Sequence, residues 1–246
     1  MGLLAVIGGS GFQRLGGLEV VSTEQPETPF GPVSAPLVRG ELAGRSVLFL
    51  ARHGAGHRLA PHRVNYRANL WALRACGARQ VVGLAAVGGI TAAYGPRVFA
   101  LPDQIIDYTY AREHTFHDGE SHPVHHVDFT EPYCAQLRGA LRAACELAGV
   151  PATPTATYGA TQGPRLETAA EIVRMERDGC DLVGMTGMPE AVLARELDLN
   201  YASLAFVVNW AAGKGEGAIT MAEIEGHLAY CTGQVERILA ALAAAS

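Results

Sequence analysis

Several residues suited to chemistry lie where short apolar runs end. Gly9 and Ser10 follow the first such run, and Arg52 with His53 follow another. Glycines after a strand let backbone N–H groups converge on an anion, and a guanidinium can hold a phosphate with two hydrogen bonds. The hydroxyl and the imidazole can each add one more. An ordinary glycine turn and an exposed Arg-His pair are the alternatives to an anion site.

Residues 161–190, TQGPRLETAAEIVRMERDGCDLVGMTGMPE, combine a loop, a helix, a strand and the start of a second helix. Glu167 falls at the start of the first helix, whereas Met185 and Thr186 fall where the strand ends. In a parallel sheet covered by helices, ligands bind at this edge. The alternatives are that the helix dipole favours the acid and that Met185 belongs to the core.

Asn209 ends another apolar run, at residues 201–208. Its amide could read a ligand or simply cap a turn. We predict that it meets Glu167, because both lie at strand-end or helix-start positions that a parallel sheet brings to one edge.

The spacing of apolar residues predicts the elements that position these groups. Strand-length runs occur at residues 3–7, 46–51, 81–87, 103–108, 155–161, 180–185 and 201–208. Helical patterns occur at residues 64–76, 133–147, 168–177 and 189–196, and a last helix follows Met221. This alternation predicts an α/β fold: a single domain over residues 1–246 with a central mixed, mostly parallel sheet flanked by helices.

Composition narrows the class of protein. Apolar residues make up 49% and charged residues 17% of 246, and the formal net charge is -5, so we expect a globular protein without a nucleic-acid partner. No uninterrupted apolar run is long enough for a membrane span. Residues 2–7 are too short and lack the basic flank of a signal peptide. Five scattered cysteines fit reduced thiols and a cytoplasmic location.

Five of the nine histidines lie within residues 112–128: His114, His117, His122, His125 and His126. Imidazoles are common zinc ligands, so a non-catalytic metal-binding loop is one hypothesis. The segment contains neither an H-E-x-x-H pattern nor a cysteine, and glycine and proline make it loop-like. A solvated polar loop is the alternative, and we predict no metal.

Longer motifs carry a family resemblance. The chain has RHG at residues 52–54, NYRANLWAL at 65–73, GPRLET at 163–168, GMTGMPE at 184–190 and VVN at 207–209. In this order they resemble the trimeric purine nucleoside phosphorylases and their methylthioadenosine phosphorylase relatives, over residues 7–238. Within that family the sequence is most similar to the bacterial S-methyl-5'-thioinosine phosphorylases.

The resemblance implies a nucleoside phosphorylase-like fold, a homotrimer with sites near subunit contacts, and phosphate as co-substrate without any cofactor. It implies that Met185 packs under the ribose and that His126 reaches a neighbour's site. At position 85, close relatives often carry a polar side chain near phosphate, but Ala85 offers only its backbone. The implied phosphate ligands are Ser10, Arg52, His53 and Thr186.

The same resemblance predicts the base. Glu167 can accept a hydrogen bond from N1–H of a 6-oxopurine, and Asn209 can donate to O6 and meet the N7 edge. Adenine-specific relatives carry aspartates at positions 209 and 211 and a small hydroxyl residue at 167, whereas this chain has Asn209, Ala211 and Glu167. We therefore expect hypoxanthine or guanine, since a mismatched buried polar group costs about 1–3 kcal/mol.

The sugar end resembles a different relative. Phosphorylases of inosine and guanosine present a histidine to the ribose 5'-hydroxyl where this chain has Met221, with Ile219 two residues earlier. An apolar end suits a methylthio group, although both residues could simply belong to the core of the last helix.

The prediction is a pentosyltransferase that phosphorolyses S-methyl-5'-thioinosine to hypoxanthine and 5-methylthioribose 1-phosphate. A general inosine and guanosine phosphorylase is the main alternative. A methylthioadenosine phosphorylase and a nucleosidase that uses water instead of phosphate are the others.

Overall fold

The apolar runs form the strands of one mixed sheet. The computed structural model describes residues 2–120 and 122–245. Within them the strands are β1 (Leu3–Gly8), β2 (Glu19–Glu24), β3 (Leu37–Leu42), β4 (Arg45–Ala51), β5 (Ala78–Gly89), β6 (Phe99–Ala100), β7 (Gln104–Asp107), β8 (Ala152–Thr153), β9 (Thr157–Ala160), β10 (Leu182–Gly184) and β11 (Asn200–Trp210). The predicted α/β class and single domain with a mixed, mostly parallel sheet are confirmed.

Strand order places the functional ends side by side. The main path runs β2-β3-β4-β1-β5-β10-β9-β7, and β11 pairs with β5 and continues to β6 and β8. Strand β1 lies parallel to β4 and β5, and β11 lies parallel to β5. Antiparallel pairs join β3 to β2 and β4, β10 to β5, and β11 to β6. The carboxyl ends of β1, β4, β5 and β11 therefore meet at one edge.

Helices cover both faces of the sheet. They are α1 (Tyr66–Ala75), α2 (Ala135–Leu147), α3 (Ala169–Arg177), α4 (Gly187–Glu196) and α5 (Met221–Ala244). One apolar cluster includes residues of α1 and α4, and a second includes residues of α2 and α5. Asn65 caps α1, whereas Thr168 and Glu171 form a capping box on α3. That box fixes where the helix after Glu167 begins.

Sequence patterns missed some elements. Strands β2 and β3 form a hairpin that the patterns did not predict, because most of β2 is exposed and lacks a buried face. Within α4 (Gly187–Glu196), Met188 has non-helical backbone angles (φ -116°, ψ 139°), so the regular helix begins at Pro189 as the sequence predicts, and α5 continues to Ala244. Among the helices of residues 2–120 and 122–245, none combines the length and apolar character that crossing a membrane requires.

Candidate active site

A cavity of about 260 Å³ opens at the sheet edge where these strands end. It brings together most of the residues predicted from sequence, although they come from distant parts of the chain. These residues are Ser10, Arg52, His53, Glu167, Met185, Thr186, Asn209, Ala211 and Ile219. Ala85 lines it as well, at the end of β5. Met221 and His126 are not among the lining residues.

Arg52 is buried beneath this cavity, with 1% of its surface exposed. Its Nε and Nη2 donate to Glu190 Oε2 and Oε1 at 2.6 and 2.7 Å, and its Nη1 donates to the Leu84 carbonyl at 2.9 Å. Burial alone would lower the Arg52 pKa, but the charge and hydrogen bonds of Glu190 outweigh it and raise the pKa. The expected bidentate grip is therefore made with Glu190, and fewer N–H groups remain for an anion.

His53 follows Arg52 and is also buried. Its Nδ1 lies 2.8 Å from the Leu59 carbonyl, which can only accept, so Nδ1 carries a proton. Burial and the Arg52 charge lower the pKa of His53 to about 4, and the His57 ring stacks on it at 4.3 Å. A neutral His53 has no second N–H. His53 could accept a hydrogen bond from a protonated phosphate oxygen. To donate one, the ring would have to take up a proton when the anion binds.

The glycine turn after β1 lies against Arg52. Gly9 accepts from the Phe12 amide at 3.1 Å, and Gly8 accepts from the Arg52 amide at 2.9 Å. A Cβ at Gly9 would lie 2.6 Å from the Leu84 carbonyl oxygen and 3.0 Å from Arg52 Nη1. Position 9 thus needs glycine mainly because the Leu84 carbonyl approaches this closely, and the guanidinium adds a second tight contact.

Thr186 precedes α4 and lines this cavity, and its side chain makes no cap bond but is hydrogen-bonded to the Tyr158 hydroxyl. Its backbone amide donates to the Tyr158 hydroxyl at 3.4 Å. Gly187 and the non-helical Met188 separate Thr186 from the regular helix that begins at Pro189.

Glu167 is held by a hydroxyl from the preceding loop. Thr161 Oγ1 donates to Glu167 Oε1 at 2.6 Å. Arg112 anchors the same loop, since its Nη2 donates to the Thr161 and Gln162 carbonyls at 3.1 and 2.7 Å. Its Nη1 also donates to the Met185 carbonyl at 2.9 Å. Arg112 therefore connects the segments that carry Glu167 and Met185.

Asn209 occupies an irregular point of β11. The pairing with β5 shifts register between Val207 and Asn209, which is a bulge of the kind that re-aims a side chain beside a site. The Asn209 amide donates to the Trp210 carbonyl at 2.7 Å. This bond fixes the amide plane and leaves its carbonyl oxygen and one N–H for a ligand.

One part of the cavity wall is apolar. Ile219 lines it together with Ile224 and Leu228 of α5. Met221 lies one turn before Ile224 on the same helical stripe, but its side chain is 65% exposed. Met221 is the first residue of α5 and does not line the cavity. The predicted apolar end is thus formed by other residues of the same segment.

The histidine-rich loop lies outside the cavity, and His126 is exposed. Within the loop, the His117 ring lies 6.4 Å from that of His122 and 5.2 Å from that of His125. No group of three or more metal-binding side chains is found in the described part of the chain. Glu196 of α4 anchors the loop by accepting from Thr115 Oγ1 at 2.7 Å.

A family model described as the phosphorylase superfamily matches residues 3–244. The chain belongs to this superfamily. A probable S-methyl-5'-thioinosine phosphorylase of Xanthomonas campestris is 57% identical over 222 residues, which are 90% of this chain and 89% of that protein. A 6-oxopurine nucleoside phosphorylase of Pyrococcus furiosus is 46% identical over 226 residues, 90% of this chain and 84% of the relative.

A solved structure shares the fold of this phosphorylase. Methylthioadenosine phosphorylase from Schistosoma mansoni, in complex with adenine, superposes with a TM-score of 0.94 at 30% identity, covering 99% of this chain and 91% of that one. The predicted family and enzyme class, a pentosyltransferase of the purine nucleoside phosphorylase type, are confirmed by these matches.

Sequence reasoning missed four residues that shape the phosphorylase site. Glu190 stands in the GMTGMPE motif, but it faces Arg52 from below the cavity. Arg112 lies in the histidine-rich loop, residues 112–128, where sequence suggested a function only for the histidines. Ile224 and Leu228 follow helical spacing from Met221, and that spacing could have found them. Nothing in the spacing of Glu190 and Arg52, which lie 138 residues apart, indicates their contact.

Proposed function

We propose that this phosphorylase cleaves S-methyl-5'-thioinosine with phosphate, giving hypoxanthine and 5-methylthioribose 1-phosphate, without a metal or organic cofactor. One observation carries the proposal. Glu167 and Asn209 line the same cavity as Arg52, although they lie far apart in the sequence. A purine-reading pair and an anion-binding group therefore face one space.

Phosphate binds at the buried end of the cavity in this proposal. Arg52, Ser10 and Thr186 supply donors there, and His53 completes the set with a shared proton. Positioning the nucleophile under the anomeric carbon makes its attack effectively unimolecular, a gain of up to roughly 7–11 kcal/mol in favourable cases. The bound anion also stabilises the positive charge that develops on the sugar.

The base lies between Glu167 and Asn209. Glu167 accepts from N1–H of the 6-oxopurine, and Asn209 donates to O6 or to N7 as negative charge builds on the departing base. The bond from Thr161 holds one carboxylate oxygen and leaves the other for N1–H. Ala211 adds no acceptor for an adenine amino group.

The 5'-group lies against the apolar end, and Met185 packs under the ribose. Ile219, Ile224 and Leu228 offer a methylthio group a dry wall and offer a hydroxyl no partner. The name of the Xanthomonas campestris relative supports this substrate. A general 6-oxopurine nucleoside phosphorylase is the second candidate, because the Pyrococcus furiosus relative bears that name and Met221 lies outside the cavity.

A factorial substrate panel tests the proposal. Inosine, adenosine and their 5'-methylthio analogues are each assayed with and without phosphate. We expect activity only with phosphate, the highest kcat/KM on S-methyl-5'-thioinosine, and 5-methylthioribose 1-phosphate as product. A preference for inosine would favour the second candidate. Undiminished base release without phosphate would indicate a nucleosidase and refute the roles of Arg52 and Ser10.

We propose further that the enzyme is a cytoplasmic homotrimer and that His126 reaches a neighbouring subunit's site. Two exposed apolar side chains support a subunit contact beside the cavity. Tyr110 is 70% exposed and Leu166 is 44% exposed, and each lines a cavity that also includes Glu167. Light scattering after size-exclusion chromatography measures the assembly. A monomer with full activity would contradict the proposed homotrimer and the proposed role of His126.

A further inference from the structure

Glu190 is a buried carboxylate that lines no part of the cavity. Both of its oxygens accept from Arg52, and the Tyr201 hydroxyl donates to Oε1 at 2.8 Å. Burial and the charge of Glu190 raise the pKa of Tyr201 well above its usual value, so the phenol is a neutral donor. The carboxylate therefore has no direct contact with the cavity and is joined to it by Arg52.

The sheet leaves space for this arrangement at Gly83, in the middle of β5. A Cβ at Gly83 would lie 2.3 Å from the Tyr201 hydroxyl and 2.7 Å from Glu190 Oε1. A glycine within a strand weakens it and often marks a close approach of another group. Here the approaching groups are Glu190, which binds Arg52, and the Tyr201 hydroxyl, which donates to Glu190.

The pair determines which donors Arg52 can offer. A guanidinium has five N–H bonds. Glu190 takes two of them and the Leu84 carbonyl takes one, which leaves one on Nη1 and one on Nη2. Nη1 is also the atom next to Gly9. The remaining donor on Nη1 thus lies next to the glycine turn that lines the cavity, whereas the one on Nη2 belongs to the atom that binds Glu190.

We propose that Glu190 is a positioning residue for phosphate, holding the Arg52 guanidinium so that its remaining Nη1–H group faces the turn at Gly9 and Ser10. This role rests on the proposed phosphorolysis. Buried ion pairs can often be replaced by apolar residues without loss of stability, so stability alone is a weak reason for one here. Without Glu190, the anion itself would have to order the flexible Arg52 side chain. The entropic cost of that ordering would weaken anion binding.

The competing explanation is that Glu190 only neutralises Arg52, and the two explanations predict opposite signs. Removal of a nearby negative charge would tighten anion binding if neutralisation were its role. Removal of a positioning contact weakens binding. The sign of the change in phosphate affinity therefore separates them.

The test is Glu190→Gln, with phosphate binding measured by calorimetry and the KM values for phosphate and nucleoside measured separately. We expect phosphate binding to weaken about 10- to 100-fold, the span of one lost charge-assisted hydrogen bond. The KM for nucleoside should stay unchanged, a split that general loss of structure would not give. Tighter or unchanged phosphate binding overturns the proposal.

Two further variants make the test specific. Glu196→Gln is the matched control, because Glu196 lies on the same helix, accepts two hydrogen bonds from the histidine-rich loop and lines no part of the cavity. Its phosphate affinity should equal that of the wild type. Tyr201→Phe removes only the bond to Glu190 Oε1 and should weaken phosphate binding in the same direction, by less. If Glu190→Gln does not fold, Tyr201→Phe decides the matter.

A double-mutant cycle with Arg52→Lys tests whether Glu190 acts through Arg52. A lysine cannot make the paired contact. Glu190→Gln should therefore change phosphate binding less in the Arg52→Lys background than in the wild type, and full additivity contradicts the proposal. Base release by the wild type without phosphate would instead refute the proposed function itself.

Discussion

The two ends of the cavity are built differently. At the phosphate end, Arg52, His53 and Thr186 are 1%, 4% and 9% exposed and come from strand ends or a helix start. At the sugar end, Ile219 precedes α5 in a loop, and Met221 is 65% exposed. The sheet thus fixes the anion end within one chain, whereas a loop and the first turns of a helix form the other end. We expect mutations at the buried end to affect stability and those at the open end mainly selectivity.

Arg52→Ala should give the largest effect. It leaves Glu190 buried without its partner, and removing one member of a buried pair costs about 3–5 kcal/mol. Urea unfolding should show this loss, and phosphate-dependent activity should disappear. The ion pair between Arg165 Nη2 and Glu171 Oε1, at 2.7 Å, is the exposed counterpart of the buried pair. The Arg165 side chain is 67% exposed. Arg165→Ala should leave the unfolding midpoint nearly unchanged, and equal losses in the two variants would contradict the comparison.

A pH titration should show the second effect. The folded-state pKa of His53 is about 4, below its usual value of 6.5, because burial and Arg52 disfavour the charged ring. The unfolded chain therefore binds a proton first as the pH falls. The stability present above pH 6.5 should decline toward pH 4, by about 3 kcal/mol for this group.

His53→Asn removes that titrating group. The difference in the free energy of unfolding between wild type and variant, measured at several pH values, isolates its contribution from those of the carboxylates. The difference should change between pH 6.5 and 4 and be constant above. A constant difference throughout would mean that the pKa of His53 is not lowered by folding.

Sequence predicted that the residues proposed to bind phosphate would lie together, and they line one cavity. Gly9 and Arg52 follow the parallel strands β1 and β4, and parallel strands bring such ends to one edge by topology alone. Thr186 follows β10, which runs antiparallel to β5, so its place in the cavity does not follow from that rule. The α/β class followed from the same alternation. Hairpin β2–β3 did not, because β2 is mostly exposed and has no apolar face that a pattern could reveal.

The remainder depends on contacts between distant segments. The pairing of Arg52 with Glu190, and the contacts of Arg112 with two loops, depend on side-chain directions that no local pattern encodes. The position of Met221 shows the same limit on a smaller scale. Helical spacing places it on the stripe of Ile224 and Leu228, but only the start of α5 determines whether that stripe still faces the cavity.

Asn209→Asp tests the base-reading region between the two ends. A carboxylate there would accept from an adenine amino group and repel O6 of hypoxanthine. We expect the ratio of kcat/KM for S-methyl-5'-thioadenosine to kcat/KM for S-methyl-5'-thioinosine to rise. The rise should correspond to about 1–3 kcal/mol of discrimination. Asn200→Asp, at the exposed opposite end of the same strand, is the control. An unchanged ratio would show that Asn209 does not read the base.

The smallest effect should come from the sugar end. Ile219→Ser places a hydroxyl in the apolar wall, and we expect it to reduce the preference for methylthioinosine over inosine by about 1–2 kcal/mol. Unfolding should change little, because Ile219 is only half-buried in a loop. Met221→Ala is measured beside it. If α5 stays as the structure shows, Met221→Ala changes the preference less than Ile219→Ser does. A larger effect of Met221→Ala would mean that the start of α5 closes over the substrate, so that the open end becomes ordered only when the sugar is bound.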